Sequence, residues 1–181
     1  MSVSQLQFPV AKMAASRAEQ ATKEVFDLYR KYGNRDYIGE PVSQQEHMTQ
    51  CAMLAEKEGF PDEVVLGVFL HDIGHLIGFD RSLPPMGDVG THAHEIIGEQ
   101  FLKDLGFPDA VTSFVRGHVD AKRYLVWKFP QYHEEVYKVA KGAAPSGRRW
   151  GWGEYSYIQA IQYVLLRKVW FSYIFMQFIV G

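Results

Sequence analysis

The chain has 181 residues, with 19 basic and 21 acidic side chains, seven histidines and one cysteine. This length predicts one domain with at most an appendage, and 47% apolar with 22% charged residues is ordinary globular composition, which excludes disorder of the whole chain. A formal charge of -2 supplies no clustered basic field for a nucleic-acid backbone, and Cys51 alone closes no intramolecular disulfide. Met1 is followed by a polar stretch rather than by a secretory leader, so a cytoplasmic protein is expected.

From about Ala15 to Tyr32, the residues Ala21, Val25, Leu28 and Tyr29 recur at helical steps, and Gly33 ends the run. Gly39 and Pro41 break regular structure between Asp36 and Pro41, which places Tyr37 and Glu40 in a loop. Ser43 and Glu46 have the spacing of a capping box, so a helix starts there, and Gly59 stands where its C-terminal cap belongs. Pro61 and Asp62 open a third helix, apolar nearly all round, that runs into His71. Asp80 to Gly90 reads as a loop, and Glu95 to Leu105 restores helical periodicity before Gly106. Pro108 starts a helix through Val111, Phe114, Val115 and His118, and Pro130 starts another that reaches about Lys141. No alternating segment competes, so residues 15–141 are expected to form an all-α domain.

The character changes after Lys141. The last 40 residues hold 10 of the 26 aromatic side chains but only 5 of the 40 charged ones, and Gly142 to Gly153 forms a boundary loop. Arg167 and Lys168 cut the apolar run from Tyr155 to Val180 into two uncharged pieces of 12 residues. A spanning helix needs ~20 predominantly apolar residues, so a packed tail is the simpler reading of 142–181 and membrane association through 155–180 the alternative.

Four histidines, His47, His71, His94 and His118, lie on or beside apolar helical runs at intervals of 24, 23 and 24 residues. One such ring alone is more often a hydrogen-bonded core or surface residue than a ligand. Four of them beside Asp72 differ, because burying several polar rings without a common partner costs ~1–3 kcal/mol each. A shared metal site removes that cost, and imidazole with carboxylate but no thiolate suits iron, manganese or zinc in a catalytic role. On a helix His71 and Asp72 point about 100° apart, so Asp72 can reach a second metal while His71 serves the first. His75, one turn beyond His71, is close enough for substrate contact or is a simple helix-terminal cap. His92 and His133 have no comparable context and are read as surface residues.

The pattern of His47 followed by His71-Asp72-Ile73-Gly74-His75 resembles the HD-domain superfamily of metal-dependent helical enzymes. The segments Tyr37 to His47, Ala93-His94-Glu95 with Gly98-Glu99, and His118 to Leu125 narrow the likeness to the mixed-valence diiron oxygenases of phosphonate catabolism. Those enzymes cleave the carbon–phosphorus bond of a small 1-hydroxyphosphonate with dioxygen. The resemblance implies two iron ions (Fe2+/Fe3+), one on His47, His71 and Asp72, the other on Asp72, His94 and His118. It implies that Lys122, four residues past His118, grips the phosphonate. It also implies that Tyr37 occupies an iron position until substrate displaces it, with Glu40 nearby.

One departure stands out. The oxygenases carry a last aspartate ligand directly after Arg-Arg-Trp, whereas here Gly151 follows Arg148-Arg149-Trp150 and no aspartate occurs after Asp120. The first iron is then one ligand short unless Glu154 or water takes that place, which implies slow turnover or none. Two other readings remain at this level. One is an HD-type phosphohydrolase, in which the metal activates water. The other is a non-catalytic truncated paralogue.

Overall fold

The computed structural model describes residues 4–37, 42–86 and 90–128. Glu40, His133, the helix expected from Pro130 and the whole tail, with Gly151 and Glu154, lie outside these residues. Among the described residues six helices form: α1 (Ser4–Tyr32), α2 (Gln44–Lys57), α3 (Asp62–Leu70), α4 (Ile73–Asp80), α5 (His94–Leu105) and α6 (Asp109–Lys128). The described residues contain no strand, only the isolated bridges Asp36 to Ser43 and Pro85 to Thr91, so the fold is all-α.

The helix α1 buries Ala21, Val25 and Tyr29 at four-residue steps, as its periodicity requires. It begins at Ser4 rather than near Ala15, and Ala11, Lys12, Met13 and Ala14 are strong helix formers that favour the longer helix. The capping box of α2 is formed. The Glu46 amide donates to Ser43 Oγ at 3.2 Å, and the Ser43 amide donates to Glu46 Oε2 at 2.8 Å. Gly59, with φ +74°, follows the end of that helix, as a left-handed exit needs.

Two expectations change. The helix α3 stops at Leu70, so His71 and Asp72 form a turn between α3 and α4 and the helical 100° relation does not apply. The turn is tight: His71 N–H reaches only the Val68 carbonyl, and His75 N–H the Asp72 carbonyl, both three residues back. Nor is α3 covered all round, since Leu66 is exposed while Val64, Gly67, Val68 and Leu70 are buried.

Val25, Tyr29, Met48, Leu70, Ile73, Leu76, Ile77, Leu102, Val111 and Val115 share one core. Each such side chain withdrawn from water contributes roughly 1.5–3 kcal/mol. The Tyr29 hydroxyl donates to the Phe69 carbonyl at 2.6 Å, which satisfies the polar atom that Tyr29 brings into this core. A second cluster of Ala52, Ala55, Val64, Val68 and Phe114 binds α2, α3 and α6. Gly74 sets the spacing of α4 and α5, because a Cβ there would lie 1.9 Å from the His94 carbonyl oxygen. These contacts bring the start of α4 against the start of α5 and the middle of α6, around Asp72.

Candidate metal centre

Asp72 is 1% exposed and sits at the centre of four imidazoles, His47 from α2, His71 from the α3–α4 turn, His94 from α5 and His118 from α6. Its two oxygens face different pairs. Oδ2 lies 3.0 Å from His71 Nε2 and 3.6 Å from His47 Nε2. Oδ1 lies 3.1 Å from His118 Nε2 and 3.3 Å from His94 Nε2. Within each pair the facing Nε2 atoms are 3.3 Å apart for His47 and His71, and 3.0 Å apart for His94 and His118.

The tautomers follow from the backbone. The Nδ1 atoms of His71 and His118 lie 2.7 Å from the carbonyls of Val68 and Val115, and that of His94 lies 3.3 Å from the Thr91 carbonyl. A carbonyl only accepts, so each Nδ1 carries the proton and each Nε2 presents a lone pair inward. Burial lowers His71 and takes His118 down to about 3, so these rings stay neutral at ordinary pH. Burial pushes Asp72 up, but His71, Lys122 and the hydrogen-bond contacts outweigh it and hold the carboxyl well below the usual range. The centre therefore gathers the inward lone pairs of His71, His94 and His118 around one carboxylate. A cation is what such an arrangement fits, and nitrogen with oxygen donors suits iron, manganese or zinc.

The donor atoms of His47, His71 and Asp72 lie within 4.8 Å of one another, as do those of Asp72, His75 and His94, so either group could hold an ion. In the second group His75 is the weaker donor. Its Nδ1 accepts the Thr91 amide at 3.1 Å, so Nε2 carries the proton and points toward Asp72 Oδ1, 3.9 Å away. Burial lowers His75 to about 4, and its ring stacks on His94 with centroids 4.0 Å apart. It presents an N–H at the edge of the cluster, whereas His118 presents a lone pair.

Tyr37 is also at the cluster. Its hydroxyl donates to Asp72 Oδ2 at 2.8 Å, and its ring stacks on His47 at 3.7 Å. Lys122 is half-buried on α6, and its positive charge lowers His71, Asp72, His75 and His118. His92 is exposed and takes no part.

Some neighbours carried no role in the sequence reading. Cys51 Sγ lies 3.9 Å from His47 Nε2, as its position four residues along α2 allows. Thr91 has no motif that marks it, since it acts through its backbone amide and carbonyl. Ala93, directly before His94, has φ +56°, a left-handed conformation that costs an alanine roughly 1–2 kcal/mol and that turns the chain into α5.

Over 109 residues the chain is 41% identical to [1-hydroxy-2-(trimethylamino)ethyl]phosphonate dioxygenase (glycine-betaine-forming) of Leisingera caerulea, covering 60% of this chain and 55% of that protein. It is 34% identical over 116 residues to hydroxymethylphosphonate dioxygenase of Gimesia maris, covering 64% and 56%. It is 44% identical over 113 residues to an uncharacterized protein, L432, of Acanthamoeba polyphaga mimivirus, covering 62% and 52%. The chain thus spans about half the length of the curated relatives it matches. No helix among the described residues is long and apolar enough to cross a membrane. The HD domain family profile matches residues 46–146, which carry all four inward-facing histidines and Asp72 and make up more than half of the sequence, so the chain belongs to the HD-domain family.

Proposed function

We propose that this chain is an iron-dependent oxygenase that cleaves the carbon–phosphorus bond of a small 1-hydroxyphosphonate, giving a carboxylic acid and phosphate. The observation that carries this reading is the division of Asp72, whose Oδ2 faces His47 and His71 while Oδ1 faces His94 and His118. Such a set suits two ions that share one carboxylate. Bound there, iron supplies Lewis acidity and the redox chemistry with dioxygen. The two dioxygenase relatives support the substrate class, since both are named for a phosphonate that carries a hydroxyl on the same carbon.

The balance is one dioxygen per phosphonate. The C–H and C–P bonds of the hydroxyl-bearing carbon break, four electrons pass to dioxygen, and one oxygen atom ends on each product. The protein's own groups bind and orient. Lys122 pairs its ammonium with the phosphonate, a charge-assisted contact of about 1.5–3 kcal/mol. His75 offers its Nε2–H to a substrate oxygen on the Oδ1 side. Tyr37 covers His47 and holds Asp72 Oδ2, so substrate reaches that side when its hydroxyl lets go.

The test is phosphate release from a panel of 1-hydroxyphosphonates by the iron-loaded chain, with and without dioxygen. Slow, dioxygen-dependent release matched by oxygen uptake is expected, because Gly151 leaves the first iron a ligand short. Release from phosphate esters without dioxygen would make the chain a phosphohydrolase. Binding of iron with no turnover of either class would leave only a binding role. Lys122→Ala should raise the apparent KM at least tenfold, given about 1.5–3 kcal/mol for the contact, while metal content stays constant.

A further inference from the structure

Glu95 follows His94 on α5 and approaches that ring from behind. The rear nitrogens of His71 and His118 are bonded to carbonyls at 2.7 Å, but that of His94 has its carbonyl at 3.3 Å, a weaker hold. Glu95 Oε2 lies 3.9 Å from the same nitrogen. The Glu95 side chain is only 14% exposed, so water screens its charge poorly. Its other oxygen lies 3.9 Å from Arg116 Nη1, and Arg116 Nε lies 3.6 Å from Glu99 Oε2. Arg116 stands two residues before His118 on α6. The helix pair that sets His94 against His118 therefore also sets Arg116 against Glu95.

An imidazole that donates its lone pair to a cation takes on positive charge, which spreads to its rear N–H. A carboxylate behind the ring stabilises that charge and strengthens the ligand, and a cation beside the carboxylate offsets the effect. We propose that Glu95, balanced by Arg116, is a positioning residue that sets how strongly His94 donates to a metal ion held with His118 and Asp72 Oδ1. The inference rests on the metal-binding reading above. It makes the donor strength of one half of the centre depend on an ion pair that touches no ligand atom facing the ion.

The probe is Mn2+ alone, bound to the full chain and followed by equilibrium dialysis with elemental analysis. His94→Ala identifies the affected site by losing it. Glu95→Gln keeps the shape of the side chain and should weaken that site by roughly tenfold to a hundredfold. Arg116→Gln should tighten it a few-fold, and by clearly less when Glu95 is already glutamine. A purely structural role would make both single variants weaken binding, and that result overturns the proposal. So does wild-type affinity in Glu95→Gln, or an Arg116→Gln effect of equal size in both backgrounds. If His94→Ala binds Mn2+ as the wild type does, the metal assignment itself fails. Loss in His94→Ala with no effect of Glu95→Gln sinks this inference alone.

Discussion

The two halves of the centre are built alike and finished differently. In each, two histidines 24 residues apart turn their Nε2 atoms toward one another and toward one oxygen of Asp72. The His47 and His71 half is closed by an aromatic ring from a loop, with Tyr37 stacked on His47 and bonded to Oδ2. The His94 and His118 half is surrounded by charge, with Glu95 and Arg116 behind His94 and Lys122 one turn beyond His118. Displacing Tyr37 breaks one hydrogen bond to an ionised carboxylate, while the fixed charges of the other half set affinity for an anion and for an ion's charge state. Under the proposed function the two halves divide the labour, the Tyr37 side opening to substrate and the Lys122 side keeping its charges fixed.

The largest expected effect comes from the residue both halves share. Asp72→Ala should remove metal from both, whereas His118→Ala should remove it only from the second, as read by elemental analysis. Full metal content in Asp72→Ala would break the view of one shared carboxylate.

Gly74 sharpens the comparison from the packing side. Its added Cβ would meet the His94 carbonyl oxygen at 1.9 Å, a backbone atom that cannot swing aside, so Gly74→Ala should cost about 3 kcal/mol, the upper end for overpacking. Denaturant unfolding measures this, and metal loss should be greater in the His94 half. Unchanged stability would mean that α4 and α5 do not need this approach.

The smallest effect belongs to the other half. Ser43→Ala removes the N-cap of α2, the helix that carries His47, and should cost about 1 kcal/mol. Its metal effect should be confined to the His47 half. An equal loss at the His94 half would show that the halves are mechanically coupled.

The capping box of α2, the exits at Gly59 and Gly106 and the buried stripe of α1 were all legible in the sequence, because caps and helical periodicity are local and depend on near neighbours. The spacing of His47, His71, His94 and His118 around Asp72 was legible from residue type and position, as was the HD-domain family. The start of α1 was not, since helix propensity alone does not mark where a helix begins. The turn at His71 and Asp72 escaped because its residues are apolar-flanked and compatible with a continuous helix. The packing of α4 against α5, and of α3 and α5 against α6, goes with a break there, so that one carboxylate faces two histidine pairs. His75 shows the same limit. Its spacing places it one turn from His71, yet the Thr91 amide, sixteen residues away in the chain, turns it into an N–H donor rather than a lone-pair donor. Residue types and local spacing thus determined which groups are present. Long-range backbone contacts decided which atom each group presents, because tautomer and orientation are set by the partner across the fold and not by the neighbour in sequence.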